Sequence, residues 1–216
     1  MLSRGCSLTI AGSTFEGNNA SEDGGAVYAY DGDIYMDDVA FTENGATHEG
    51  GAIQIGMGGF STAITANACT FTGNEAYYGG AAAIYNSIAD MEGSVFSENI
   101  GGIGTLSLQA STADLDAVDF TENSTDYGGG LYIYSGTTEG STLLFQGNTA
   151  ELYGGAIYAG AKNATDPATV TSFSDIQAIG NEAVFGGGIL LTEGSHSFTG
   201  GTIESNIATE WGGGLY

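Results

Sequence analysis

An asparagine recurs eight times along this chain, each time three residues after an apolar position and ahead of a glycine pair that opens an apolar stretch. The asparagines are Asn18, Asn44, Asn74, Asn99, Asn123, Asn148, Asn181 and Asn206. The apolar position is Phe15, Phe41, Phe71, Phe96, Phe120 and Phe145 in the first six repeats, Ala178 in the seventh and Ile203 in the eighth. The glycine pairs begin at Gly24, Gly50, Gly79, Gly101, Gly128, Gly154, Gly186 and Gly212, the fourth after a shortened interval. Steps between asparagines are 24 to 26 residues, except 30 from Asn44 to Asn74 and 33 from Asn148 to Asn181. Repetition at this period predicts a solenoid, because one unit cannot bury its apolar face alone and must lay it against the next.

Within a repeat, apolar and polar residues alternate, which is the period of a half-buried strand. Three such stretches are legible. The first points inward at Leu8/Ile10, Ile34/Met36, Ile64/Ala66, Ala89/Met91 and Ala113/Leu115. The second does so at Val39/Phe41, Cys69/Phe71, Val118/Phe120 and Leu143/Phe145, with Ile203 at the phenylalanine position of the last repeat. The third follows the glycines, at Val27/Ala29, Ile53/Ile55, Leu131/Ile133, Ile157/Ala159 and Ile189/Leu191. No stretch combines helical periodicity with caps. One proline, 38 glycines and 12 tyrosines suit many tight corners between strands.

The expected fold is all-β: a right-handed parallel β-helix with three strands per coil and about eight coils, a rod of ~38 Å at ~4.8 Å per coil. The hand follows from strand twist and the chirality of parallel crossovers. Residues 1–216 form a single domain on this reading. Met1-Leu2 falls in a first strand and Gly214-Leu215-Tyr216 in a third, and neither end carries a polar cap. The chain is therefore expected to be a segment of a longer solenoid with open ends, or one whose ends partner copies cover. The eight asparagines are expected to form a structural column, since a short amide tolerates the left-handed backbone of a corner and can bond to its own copies. The two longer repeats place extra residues at 57–60 and 162–167, expected as loops flanking a binding surface.

The formal net charge of −24 comes from 26 acidic residues against two basic ones, Arg4 and Lys162. Nucleic acid and anionic lipid both require a basic footprint, so neither is an expected partner, and no apolar run is long enough for direct membrane insertion. An acidic surface of this kind suits a salty or extracellular habitat. Structural calcium is the candidate ion, with Asp31, Asp33, Asp37 and Asp38 as oxygen ligands, although no recognised calcium loop is present. No other cofactor is implied. Cys6 and Cys69 fall two coils apart, too far for a disulfide, and Cys69 shares an inward column with Val39 and Val118. His48 and His196 fall in distant coils and form no metal set.

Parallel β-helices also carry polysaccharide-cleaving enzymes. A uronate lyase needs cations to neutralise the substrate carboxylate, and two basic residues cannot supply them. A glycoside hydrolase needs only paired carboxylates, and Asp116/Asp119 and Asp37/Asp38 are the pairs that flank corners. With so many acids, chance pairs are expected everywhere, and the chain is read as non-enzymatic, the hydrolase being the alternative. The aromatic residues are better placed. Tyr78, Tyr127, Tyr153, Phe185 and Trp211 each stand immediately before a glycine pair. Tyr28, Tyr132, Tyr158 and Tyr216 lie on the outward side of the third strand, with Tyr30, Tyr85 and Tyr134 two residues on. Such columns stabilise neighbouring strands, and where exposed they offer flat platforms to glycan rings or proteins. Threonine is too irregular from coil to coil for an ice-binding array.

The pairing of Phe41-Thr42-Glu43-Asn44 with Gly50-Gly51-Ala52-Ile53, and of Phe145-Gln146-Gly147-Asn148 with Gly154-Gly155-Ala156-Ile157, resembles the repeat of chlamydial-type polymorphic outer-membrane proteins. The likeness runs over nearly the whole chain, departing at Gly128-Gly129-Gly130-Leu131, at Ala178 and at the fourth repeat. It implies a secreted right-handed β-helix, usually the passenger of an autotransporter, with adhesion as the typical role. On that resemblance the expected location is extracellular or the outer cell surface. The expected function is a rigid spacer and adhesin, and the expected partner is a host or neighbouring-cell protein or glycan, or another copy of the chain.

Overall fold

The computed structural model describes residues 2–56, 61–161 and 168–216, with the backbone alone for residues 2–4. The insertions expected at 57–60 and 162–167 lie outside the described residues. The chain winds through about eight coils whose strands form three parallel sheets, one of 14 strands and two of eight, with no helix among the described residues.

Three faces per coil agree with the sequence reading, but the strands that make them differ. The stretches before the phenylalanine and after the glycines share the 14-stranded sheet, and in two coils they fuse into the eleven-residue strands Leu106–Asp116 and Leu131–Ser141. These long strands bend where Ala110 and Ser135 take positive φ. The third face is built from the stretch between the asparagine and the glycines, such as Glu75–Tyr78, Ser124–Tyr127 and Thr149–Tyr153. Its inward residues are small (Ala76, Thr125, Ala150, Ala183), so the sequence alternation is faint there. At the start of the chain, Leu2–Arg4 pairs with Val27–Tyr30, which makes it a post-glycine strand rather than the first strand expected.

The core is a set of columns. Phe15, Phe41, Phe71, Phe96, Phe120 and Phe145 stack face to face with ring centroids 4.6 to 5.1 Å apart and planes within 11° of parallel. This is the spacing of one ladder step, so a ring repeated every coil meets only its own kind. Phe41 to Phe145 are fully buried, while Phe15 is only partly covered. Ala178 and Ile203 continue the register on the inward side as expected, but Ile203 in the last coil is 40 % exposed because no described coil covers it.

The asparagines form a continuous ladder beside this column. The Oδ1 of each accepts from the backbone N and the Nδ2 of the asparagine before it, from Asn18–Asn44 to Asn181–Asn206, at 2.8 to 3.1 Å. From Asn44 onward, Nδ2 also donates to the carbonyl at the phenylalanine position of the preceding coil. The backbone expectation needs correcting: the left-handed residue is the one before each asparagine, for example Glu43, Glu98 and Glu122. Asparagine is therefore held at this corner by its amide, not by its backbone tolerance.

At the opposite corner the two glycines do different work. Gly50 has φ 63°, and a Cβ on Gly51 would lie 2.0 Å from the carbonyl oxygen of Gly80 in the next coil. In the fourth repeat the sequence pair Gly101-Gly102 is not this corner. It lies inside the strand Ile100–Ile103, where a Cβ on Gly102 would come 2.7 Å from the Tyr77 ring. The corner is Gly104, with φ 69°, followed by Thr105, whose hydroxyl donates to the Gly129 carbonyl at 2.8 Å.

Candidate functional site

The glycine corner brings one residue of each coil into a single outward row, because the residue before the glycine closes a strand whose partner is the same position one coil away. That row runs Asp23, Glu49, Tyr78, Ile103, Tyr127, Tyr153, Phe185, Trp211. Tyr78, Tyr127, Tyr153 and Phe185 are half-buried, and Trp211 is 59 % exposed. From Tyr127 onward the rings are in contact, with centroids 5.4 Å (Tyr127–Tyr153), 5.3 Å (Tyr153–Phe185) and 5.3 Å (Phe185–Trp211). Tyr78 is separated from that run by Ile103, which the misplaced fourth corner concealed in the sequence.

A second row lies just past the corner. Tyr132 and Tyr158 stack at 5.1 Å, and Tyr216 packs against Trp211 at 6.1 Å and Phe185 at 6.2 Å. Tyr28 contacts Tyr30 at 5.7 Å at the other end. Burial pushes the Tyr132 phenol well above the usual tyrosine range and raises that of Tyr158. Tyr85 is raised still further, by burial first and then by the neighbouring Glu49 carboxylate.

The acidic end of the first row was not singled out in the sequence. Asp23 and Glu49 are neighbours in register, with Tyr78 next in line. Desolvation raises the pKa of both, the charge of Asp23 raises Glu49 further, and the Tyr85 hydroxyl donates to Glu49. His48 Nδ1 meets Glu22 at 2.9 Å beside them. The signal that could have found this pair is positional, since both acids occupy the place where later coils carry an aromatic ring.

The carboxylates chosen from sequence are arranged differently. Asp116 is exposed, stands in register between Glu92 and Ser141, and accepts a hydrogen bond from the Ser141 hydroxyl. Asp119 begins the next strand, its pKa raised by desolvation. Asp31, Asp33, Asp37 and Asp38 are all exposed, Asp31 and Asp38 at left-handed corners. Among the described residues, no group of three or more His, Cys, Asp or Glu side chains comes together for a metal ion. His196 Nδ1 meets the Thr171 hydroxyl at 2.9 Å and its Nε2 meets the Thr192 carbonyl at 3.2 Å, far along the rod from His48. Cys6 is exposed; Cys69 is buried, with its thiol pKa pushed up by desolvation.

One corner of the solenoid thus presents a half-buried acid pair, then a line of half-buried rings that ends in the exposed Trp211. No curated protein and no solved structure gives a significant match to the chain. Residues 12–30, 38–56 and 142–160, each holding one asparagine of the ladder and the glycine corner that follows it, match the Chlamydia polymorphic membrane protein repeat, and in these three segments the chain carries that repeat.

Proposed function

We propose that this chain is a non-enzymatic segment of an extracellular surface protein, a rigid β-helical spacer whose aromatic edge performs adhesion or self-association. The observation that carries the reading is the contiguous run Tyr127, Tyr153, Phe185, Trp211, which stays partly exposed even at Tyr127, Tyr153 and Phe185, where the core beneath is closed. Rings packed only to stabilise a sheet gain most when covered; a line of them left open on one edge suits contact with another surface. The three matched repeats support a place at the outer membrane or cell surface, as the family's description implies. The partner is a protein or glycan of a host or neighbouring cell, or a second copy of the chain.

Replacing both Tyr153 and Trp211 by Ala should weaken retention on a glycan array, on immobilised cell-surface protein, or in self-association by sedimentation, while the β-rich circular dichroism spectrum is kept. Unchanged behaviour in all three assays would remove the reading. The glycoside-hydrolase alternative gains one specific support, the adjacent Asp23 and Glu49 with raised pKa values, since a general acid must hold its proton near neutral pH. Glycan cleavage lost on Glu49→Gln or Asp116→Asn would favour it.

A further inference from the structure

The two aromatic rows are interrupted together at one place. Between Tyr78 and Tyr127 the first row carries Ile103, and between Gln54 and Tyr132 the second carries only Ala83 and Ser107. The missing rings leave a hollow of about 470 Å³, walled by Tyr77 and Tyr78 from the third coil and by Tyr127, Tyr132 and Tyr158 from coils beyond, with Gln109 also lining it. The backbone is close here as well, since a Cβ on Gly104 would lie 2.7 Å from the Cβ of Tyr132.

The rings do not form one flat platform. Tyr77 and Tyr78 meet at 83°, and Tyr127 and Tyr158 at 89°, while Tyr132 and Tyr158 stack at 10°. Their faces and edges therefore approach the hollow from several directions. The polar side chain has a fixed sense too. Gln109 spends its Nε2 on the Tyr85 hydroxyl at 3.0 Å and the Ser107 hydroxyl at 3.3 Å, so the carbonyl end of its amide is the end those bonds leave over. Tyr85 in turn donates to Glu49. Among the described residues, no basic side chain lines the hollow, and the whole chain carries a net charge of −24.

From this arrangement we propose that the hollow binds a compact organic cation of the quaternary-ammonium class, held against the tyrosine faces by cation–π attraction. The inference rests on reading the aromatic edge as a recognition surface, and it names the ligand chemistry of one part of that edge. A tetrahedral cation meets rings on several sides at once, whereas a planar guanidinium is served by one face or by two parallel ones. A sugar ring is served by a single flat platform together with several side-chain partners for its hydroxyls, and only Gln109 and phenol groups are offered here. The negative field of the molecule concentrates cations at the surface, and the rings select the weakly hydrated ones.

The test is titration of the full chain with choline, with 3,3-dimethylbutan-1-ol, which has the same shape without the charge, with N-acetylarginine amide and with methyl β-glucoside, followed by NMR or calorimetry. Choline should bind saturably at one site, and the neutral isostere, arginine amide and glucoside at least about tenfold more weakly. Tyr127→Leu should weaken choline about tenfold, while Tyr127→Phe, which keeps the ring face, should stay within about twofold; circular dichroism checks that both variants fold. Equal binding of the neutral isostere, tighter binding of the arginine amide or glucoside, no saturable choline binding, or a Tyr127→Leu variant that binds as the parent does would each overturn the proposal. Tyr153 and Trp211 do not line the hollow, so the two readings fail separately. Loss of attachment in their double variant without choline binding leaves only the edge, and the converse leaves only the hollow.

Discussion

Asn99 uses every hydrogen-bonding position its side chain has. Its Nδ2 donates to the Phe71 carbonyl at 2.9 Å and to Asn123 Oδ1 at 3.0 Å, while its Oδ1 accepts from Asn74 N and Nδ2 at 2.9 and 3.0 Å. An amide saturated in this way escapes the penalty of an unpaired buried polar group, and it ties together three coils whose asparagines, Asn74, Asn99 and Asn123, are all buried. Asn99→Asp keeps the shape but turns the two donors into a carboxylate oxygen facing two acceptors. It should destabilise the chain by about 2–5 kcal/mol at neutral pH, and by less as the pH falls and the new acid takes up a proton. Urea unfolding at pH 7 and pH 4 measures both; equal loss at the two pH values would show that the acceptor clash is not the cause. The recurrence of asparagine made this column legible in sequence. The reason for it was not, because left-handed tolerance and amide bonding predict the same residue and only the φ angles separate them.

At the scale of one edge, the pre-glycine row changes character along its length, from carboxylates at Asp23 and Glu49 to rings beyond. Both acids have folded-state pKa values above their ordinary ones, with desolvation the leading cause. A raised acid binds its proton more tightly in the folded state, so its contribution to stability is full below the ordinary carboxylate range and is lost as pH rises through the raised value. Glu49→Gln should therefore raise the thermal midpoint at pH 7, and the gain should shrink toward zero as pH falls below about 4. The amide oxygen still accepts from Tyr85, so the packing is kept. A gain that does not change with pH would show that the charge of Glu49 is not what the fold resists. The face that carries this edge was hard to read because its inward residues, Ala76, Thr125, Ala150 and Ala183, are as small as corner residues. Gly101-Gly102 added a glycine pair at the wrong place, inside a strand.

Over the whole molecule, the charge of −24 is not spread evenly. Asp90, Asp114 and Glu139 stand in register on the outward side of three successive coils, with Glu92 and Asp116 paired beside them. Parallel stacking places like charges one ladder step apart, about 4.8 Å, where they repel and where salt screens them. The thermal midpoint should rise by several degrees between about 10 mM and about 500 mM sodium chloride, and Asp114→Asn should reproduce part of that rise at low salt only. Midpoints equal in calcium chloride and in sodium chloride of matched ionic strength would remove structural calcium; a salt-independent midpoint would remove the repulsion. What the sequence determined by itself is the solenoid, its period and its phenylalanine and asparagine columns, because a residue repeated every coil must lie on its own copies whatever the path between them. What the tertiary structure decided is which stretch makes the third face, where the fourth corner turns, and hence the gap at Ile103 and Ser107 and the meeting of Asp23 with Glu49. These depend on laying residues 24 to 33 positions apart in sequence onto adjacent ladder steps, and a slip of a few residues in one coil moves every neighbour that coil brings together.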